Sequence, residues 1–394
     1  MTLFAQTPNM DFFRSELNRP QATHADRLAT LETLRDLEVT GIGDFYHEAL
    51  RTLLSVEPNI TSINERDVMD RSIIIVAQGL GQEAYLEAAA DLWQAVLTFD
   101  VIRDTSQGLA MQEALSALGQ IGAQEYLPHI IQRLNDFNAL AQSDLETRRR
   151  HQRGVVGAIN ALTALGEPEG FRPVFFAANG WYDSSIRAMA STALPNIVED
   201  PGEIIAEIIR DPSITPPIKY EAWREMLRTR APDESKAMVA SVALATSWNY
   251  MTPNVAWQTI LNDMRMSAID NIRVLGVHDE SVYTNLARTY TSQATSNTPN
   301  YDMITRVINA LGTVATDEAV DLLMQFLQQL HDRRQVGPWG QRERAILQTI
   351  LPALGNTGSQ NMDLRMLLTT IERASYYTGA EQGWARNALR ALGY

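Results

Sequence analysis

The sequence predicts an all-α fold, a solenoid of roughly nine stacked two-helix repeats, and three observations carry that prediction. A short apolar pattern recurs along the 394 residues: Ala114-Leu115-Ser116-Ala117-Leu118-Gly119, Ala158-Ile159-Asn160-Ala161-Leu162, Val307-Ile308-Asn309-Ala310-Leu311-Gly312, Ile350-Leu351-Pro352-Ala353-Leu354-Gly355 and Ala388-Leu389-Arg390-Ala391-Leu392-Gly393. The leucines of the Leu-Gly or Leu-Pro steps fall at 80, 118, 165, 194, 275, 311, 354 and 392. Their typical spacing of about 40 residues is that of two-helix repeat arrays. Around each step the apolar residues follow a helical period, as in Ile304, Val307, Ile308 and Leu311, then Ala319, Leu322, Leu323, Phe326, Leu327 and Leu330. Such amphipathic helices bury their apolar stripes only by stacking on neighbours.

Taken in order, residues 1–23 read as an irregular lead, and residues 24–394 as the repeat array. At the start, Leu3 to Gln6 followed by Thr7-Pro8-Asn9 resembles the tail of a secretory signal and its small-residue cleavage site, which would place the protein in the periplasm or outside the cell. A frayed terminus of a cytoplasmic protein is the other reading. The stretch Ile73 to Ala84 imitates a dinucleotide fingerprint, an apolar run followed by Gly79-Leu80-Gly81 and, further on, Asp100. Glu83 would put a carboxylate where a pyrophosphate must sit, and no strand–helix alternation follows. Its Leu80-Gly81-Gln82 instead shares the repeat register of Leu118-Gly119-Gln120. At the repeat steps, glycine is expected to end the first helix in a left-handed cap. A short turn follows, with acids such as Glu125, Glu169 and Asp317-Glu318 near the next helix start. The leucine interval from 194 to 275 holds two units, with a degenerate break near Thr229 to Asp233. Longer connections are expected at Thr215-Pro216-Pro217 and Thr295 to Tyr301, and an extra-long or broken helix over Trp248 to Asn262.

These residues resemble the HEAT-repeat family and its bacterial HEAT-like branch, from about Ala25 to Tyr394. The resemblance implies the solenoid but spans several functions. Some HEAT-like enzymes are iron-dependent hydroxylases with several His-Glu pairs; this chain has one, His47-Glu48, and its other histidines (24, 129, 151, 278, 331) are scattered. Phycobilin lyases also use such repeats, but no tetrapyrrole motif is present. HEAT-like DNA glycosylases bind duplex DNA on basic surfaces, whereas this chain has 33 basic against 47 acidic residues, a formal charge of −14. With no cysteine, thiolate metal sites, disulfides and cysteine nucleophiles are excluded. The longest apolar run, Ile73 to Ala77, is far too short to span a bilayer. Hydrolytic and phosphate-loop motifs are missing.

Two segments remain as candidate binding sites. In His331 to Arg342, read as a long inter-repeat loop, Trp339 stands between glycines and a proline with Arg333, Arg334 and Arg342 around it, the residue types that dominate interface hot spots. Trp339 could equally staple the loop to neighbouring helices. The run Arg148-Arg149-Arg150-His151-Gln152-Arg153 opens a helix and offers Arg149 and Arg153 to an acidic partner, or forms a solvated face balanced by Asp144 and Glu146. The turn Asn179 to Asp183, with Trp181 and Tyr182, is expected to pack rather than bind. The reading that results is a monomeric, non-catalytic scaffold for a protein or peptide partner, without cofactor, metal or nucleic acid. A groove enzyme assembled from several repeats is the alternative.

Overall fold

The computed structural model describes residues 9–100 and 106–394, and all regular structure among them is helical. Its contacts gather into two compact units, Met1–Glu199 and Asp200–Tyr394, where the sequence suggests one continuous array. The first unit holds α1 (Met10–Asn18), α2 (His24–Asp36), α3 (Gly43–Val56), α4 (Ile63–Gln82), α5 (Ala89–Thr98), α6 (Leu109–Gln120), α7 (Leu127–Ala139), α8 (Leu145–Leu165), α9 (Phe171–Ala178) and α10 (Ser184–Ile197). The second holds α11 (Gly202–Arg210), α12 (Pro216–Arg228), α13 (Asp233–Asn249), α14 (Val255–Leu275), α15 (Ser281–Ala294), α16 (Tyr301–Val314), α17 (Asp317–Val336), α18 (Gln341–Asn356), α19 (Met362–Arg373) and α20 (Gly379–Ala391).

In both units even-numbered helices stack on one another in sequence order, α2 to α10 and α12 to α20. Odd-numbered helices form the other row, with contacts α3 to α5, α7 to α9, and α11 through α19. From α3 onward each odd helix packs against the even helix that follows it, nine pairs among the described residues, and α1 packs on α2 ahead of them. The repeat number read from the sequence therefore stands, but the pairing phase is shifted: the packed hairpin begins with the helix after the glycine step. Among the described residues no helix is long and apolar enough to cross a membrane.

The glycine steps act differently from the expectation. Gly81, Gly119, Gly312 and Gly355 lie inside α4, α6, α16 and α18, one to two residues before the helix ends. What they permit is close approach within the even row. A Cβ on Gly119 would fall 2.5 Å from Ala161 Cα, and one on Gly312 would fall 2.8 Å from Ala353 Cβ. Each partner is the alanine of the next copy of the pattern, so the Ala-Leu-Gly signature is a small-residue packing stripe between successive helices. Left-handed termination does occur at Gly166, where φ is +66° and the N–H bonds Leu162 O at 3.2 Å to close α8.

Other departures are local. The lead read as irregular contains α1, whose Leu17 is fully buried. Arg14 pairs with Glu48 at 2.7 Å and with Asp44, fastening α1 to α3. Nine residues with mixed polarity carry too weak a period to announce such a helix, and docking supplies the stability that length does not. The signal-like Leu3 to Gln6 lies outside the described residues. The apolar stretch from Ile73 is the interior of α4, not a strand. Trp248 to Asn262 is broken, with α13 ending at Asn249 and α14 starting at Val255, capped by Asn254 on Trp257 N at 3.2 Å. The break is held by buried Arg265, which donates to Ser247 O at 2.7 Å and lies 3.7 Å from the Trp248 ring centroid. Burial, aided by nearby Arg288, lowers the Arg265 pKa to about 10.

Candidate functional site

The two arginine-bearing segments turn out to be built differently. In the C-terminal one, α17 continues to Val336, so only residues 337–340 form the connection that the sequence reads as a loop from His331. The helical period of Leu323, Phe326, Leu327, Leu330 and His331 persists because these side chains are all buried. Trp339 is half-buried and edge-on to Tyr377 at 5.6 Å, with its indole nitrogen enclosed. Arg334 lies over both rings and donates to Tyr376 O. Arg342 donates to Tyr301 Oη at 2.7 Å, Ser296 O at 3.2 Å and Asn297 O at 3.4 Å, fastening the 296–301 connection. Arg333 alone of the three stays exposed without a carboxylate partner among the described residues. Trp339, Arg334 and Arg342 are thus committed to the fold; the stapling alternative describes this cluster.

His331 is the centre of that cluster. Its Nδ1 lies 3.0 Å from Tyr377 Oη and its Nε2 2.8 Å from Gln335 Nε2. Burial lowers its pKa despite the opposing pull of Asp332. A histidine with a depressed folded pKa takes up its proton more readily in the unfolded chain, so it costs stability as pH falls through about 6.5 towards the lower folded value. The thermal midpoint is therefore expected to drop between pH 6.5 and 5 more steeply in the parent than in His331→Gln, measured by circular dichroism; parallel curves would remove His331 from this role.

The α8 segment forms an open groove of about 930 Å³. No fully buried residue of α8 precedes Gly154, and of the first nine residues Thr147, Arg148, His151, Gln152 and Arg153 are half-buried, with His151 against the Phe137 ring. Gly154 and Gly157 mark where the packing begins: a Cβ there would meet the Phe137 ring at 2.7 Å and Gln112 O at 2.6 Å. Arg148, Arg149, Arg150 and Arg153 all line the one groove, although about 100° separates adjacent positions.

The facing wall is Trp181. Asn138 at the end of α7 holds it: the indole N–H donates to Asn138 O at 3.3 Å, buried Tyr182 donates its hydroxyl to Asn138 Oδ1 at 2.9 Å, and Asn138 Nδ2 donates to Pro173 O at 3.0 Å. Trp181 therefore spends its polar edge inward and presents a ring face to Arg148, whose guanidinium carbon lies 5.3 Å from the centroid. The turn expected to pack rather than bind does pack, and Trp181 and Asp183 also line the groove. Asn138 was not distinguished by the sequence, since its partners lie 35 to 44 residues away.

Charge in the groove is unbalanced. Glu146 pairs with Arg150 one turn on. Asp183 caps α10, accepting from Ile186 N at 3.0 Å, Ser185 N at 3.1 Å and Ser185 Oγ at 2.7 Å, bonds that hold its carboxyl below the usual range. Asp144 likewise caps α8 on Thr147 N at 2.9 Å. Among the described residues no carboxylate pairs with Arg148, Arg149 or Arg153, and Arg148 Nε is buried without an acceptor. By contrast His47, of the single His-Glu pair, is bound to Asp91 at 2.7 Å, and Arg51 shares that carboxylate. No three His, Asp or Glu side chains converge as a metal site among the described residues.

Packed helix pairs stacked in two rows within each unit define an all-α helical-repeat fold. The PBS lyase HEAT-like repeat family matches residues 112–136, which run from α6 into α7. No curated protein matches the chain in sequence. Similar solved structures include human deoxyhypusine hydroxylase in complex with glycerol, at 17% identity over 88% of this chain and 95% of that one, with a TM-score of 0.25. An engineered protein is 15% identical over 98% and 99%, with a TM-score of 0.35. Importin beta is 12% identical over 98% of this chain and 59% of its own, with a TM-score of 0.30. Likenesses this distant carry no information about activity or partners.

Proposed function

We propose that this chain is a non-catalytic binding scaffold that takes an acidic segment of a protein partner into the α8 groove. The observation that supports this is the set of three guanidiniums around the Trp181 wall, Arg148, Arg149 and Arg153, that have no carboxylate partner among the described residues, in a chain that is otherwise strongly acidic. Uncompensated arginine beside an aromatic face matches the anchor chemistry of protein interfaces. Of the acids that line the groove, Asp183 accepts the cap bonds of α10 and Glu146 pairs with Arg150.

Titration with a glutamate-rich dodecapeptide tests the reading. Binding is expected to weaken about tenfold in Arg149→Glu/Arg153→Glu, and to weaken with added salt as exposed charges are screened. Undiminished binding by that variant, or no binding by the parent at low salt, would remove the groove from the proposal.

A further inference from the structure

We infer that the anion recognised in the α8 groove is a phosphate ester on the partner protein; this rests on the binding reading above and specifies its chemistry. Arg148 and Arg153 are separated by five residues, about 7.5 Å along the helix axis. Side chains as long as arginine can converge on a single point over that distance. A phosphate monoester places about −1.5 to −2 charges and three acceptor oxygens at one point, whereas a carboxylate brings one charge and two oxygens. Three uncompensated forks concentrated in one and a half turns therefore complement one dianion better than a single carboxylate.

The groove is also prepared for such a ligand. Arg148 is held over Trp181, so less conformational freedom is lost when it engages an anion. Its Nε is buried without an acceptor among the described residues. Gln107 and Gln152 add neutral amide groups to the lining. Of the two acids there, Asp183 stays on its cap and Glu146 on Arg150, so neither neutralises the remaining three arginines.

The test uses the full chain and fluorescence anisotropy with four labelled probes. These are dodecapeptide pools of degenerate flanks around phosphoserine, phosphothreonine or phosphotyrosine, the same pools unphosphorylated, the same pools with glutamate at the centre, and an oligothymidylate of equal length. The phosphorylated pools are expected to bind about tenfold tighter than the glutamate pools, the size of one additional charge-assisted interaction. That preference should disappear in Arg149→Gln/Arg153→Gln and be only partly kept in Arg149→Lys/Arg153→Lys, which retains charge but not the fork. Circular dichroism confirms that the variants fold. Equal affinity for phosphorylated and glutamate pools overturns the phosphate inference and leaves the acidic-segment reading standing. Failure of every acidic peptide overturns both. Tighter binding of oligothymidylate than of any peptide also overturns both and assigns the groove to nucleic acid. A preference that survives Arg149→Gln/Arg153→Gln places the phosphate elsewhere.

Discussion

Replacing Gly119 by alanine is expected to destabilise the protein by about 1–3 kcal/mol, the cost of overpacking a close contact. Helix propensity predicts the opposite sign, since alanine inside a helix is favoured over glycine by up to about 1 kcal/mol. The conflict is decided by what the new methyl meets. It would fall 2.5 Å from Ala161 Cα and 2.8 Å from Ala161 O, backbone atoms of α8 that no rotamer change can move. The even row itself must separate, and with it the apolar surface between α6 and α8. Gly383 supplies the control: it lies within α20 and a Cβ there meets nothing within 4 Å. Gly383→Ala is expected to stabilise by about 0.5–1 kcal/mol through propensity alone. Urea unfolding followed by circular dichroism measures both. If Gly119→Ala proves neutral or stabilising, the Ala-Leu-Gly pattern is not the packing stripe described above.

The second large effect is expected at Lys219. Only 1% exposed, it donates from Nζ to Ile209 O and, at 2.5 Å, to Asp211 O, the carbonyls at the end of α11. Burial lowers its pKa to about 8. An ammonium on a slender stem enters this space, and the carbonyl end of a helix favours its positive charge. Lys219→Met keeps the unbranched shape and removes the donor, leaving Ile209 O without this partner and Asp211 O with only the Ile214 N–H at 3.2 Å, a loss of about 2–4 kcal/mol. The other lysine, Lys236, makes none of these contacts, and Lys236→Met is expected to change stability by less than about 0.5 kcal/mol. A Lys219→Met variant as stable as Lys236→Met would show that the carbonyls find other donors.

Much of the architecture was legible because a helical repeat announces itself locally. The i, i+3, i+4, i+7 rhythm of Ile304 to Leu311 needs no knowledge of the partner helix to predict α16, and the spacing of the leucines yields the number of repeats. The role of Gly81, Gly119, Gly312 and Gly355 was misread for the same reason, whereas Gly166 does end its helix as expected. Seen along the chain, Leu118-Gly119 looks like a helix end; only Ala161, 42 residues on, shows that the glycine admits a neighbour. The candidate site was half legible. The arginine run was visible, but its helical spacing argued against a common face, and nothing local showed that Trp181 would stand against it.

What the sequence determined by itself is therefore the class of fold, its period and the exclusion of thiol chemistry, since these depend on residue type and short-range spacing. Tertiary structure decided which charges remain available. Arg342 and Arg334 looked as free as Arg149 and Arg153, yet the first pair is consumed by backbone carbonyls of residues 42 to 46 positions away, while the second faces a groove whose acids are already engaged. Whether a guanidinium is structural or free to bind is settled by the acceptors that folding brings to it, and those acceptors come from other repeats.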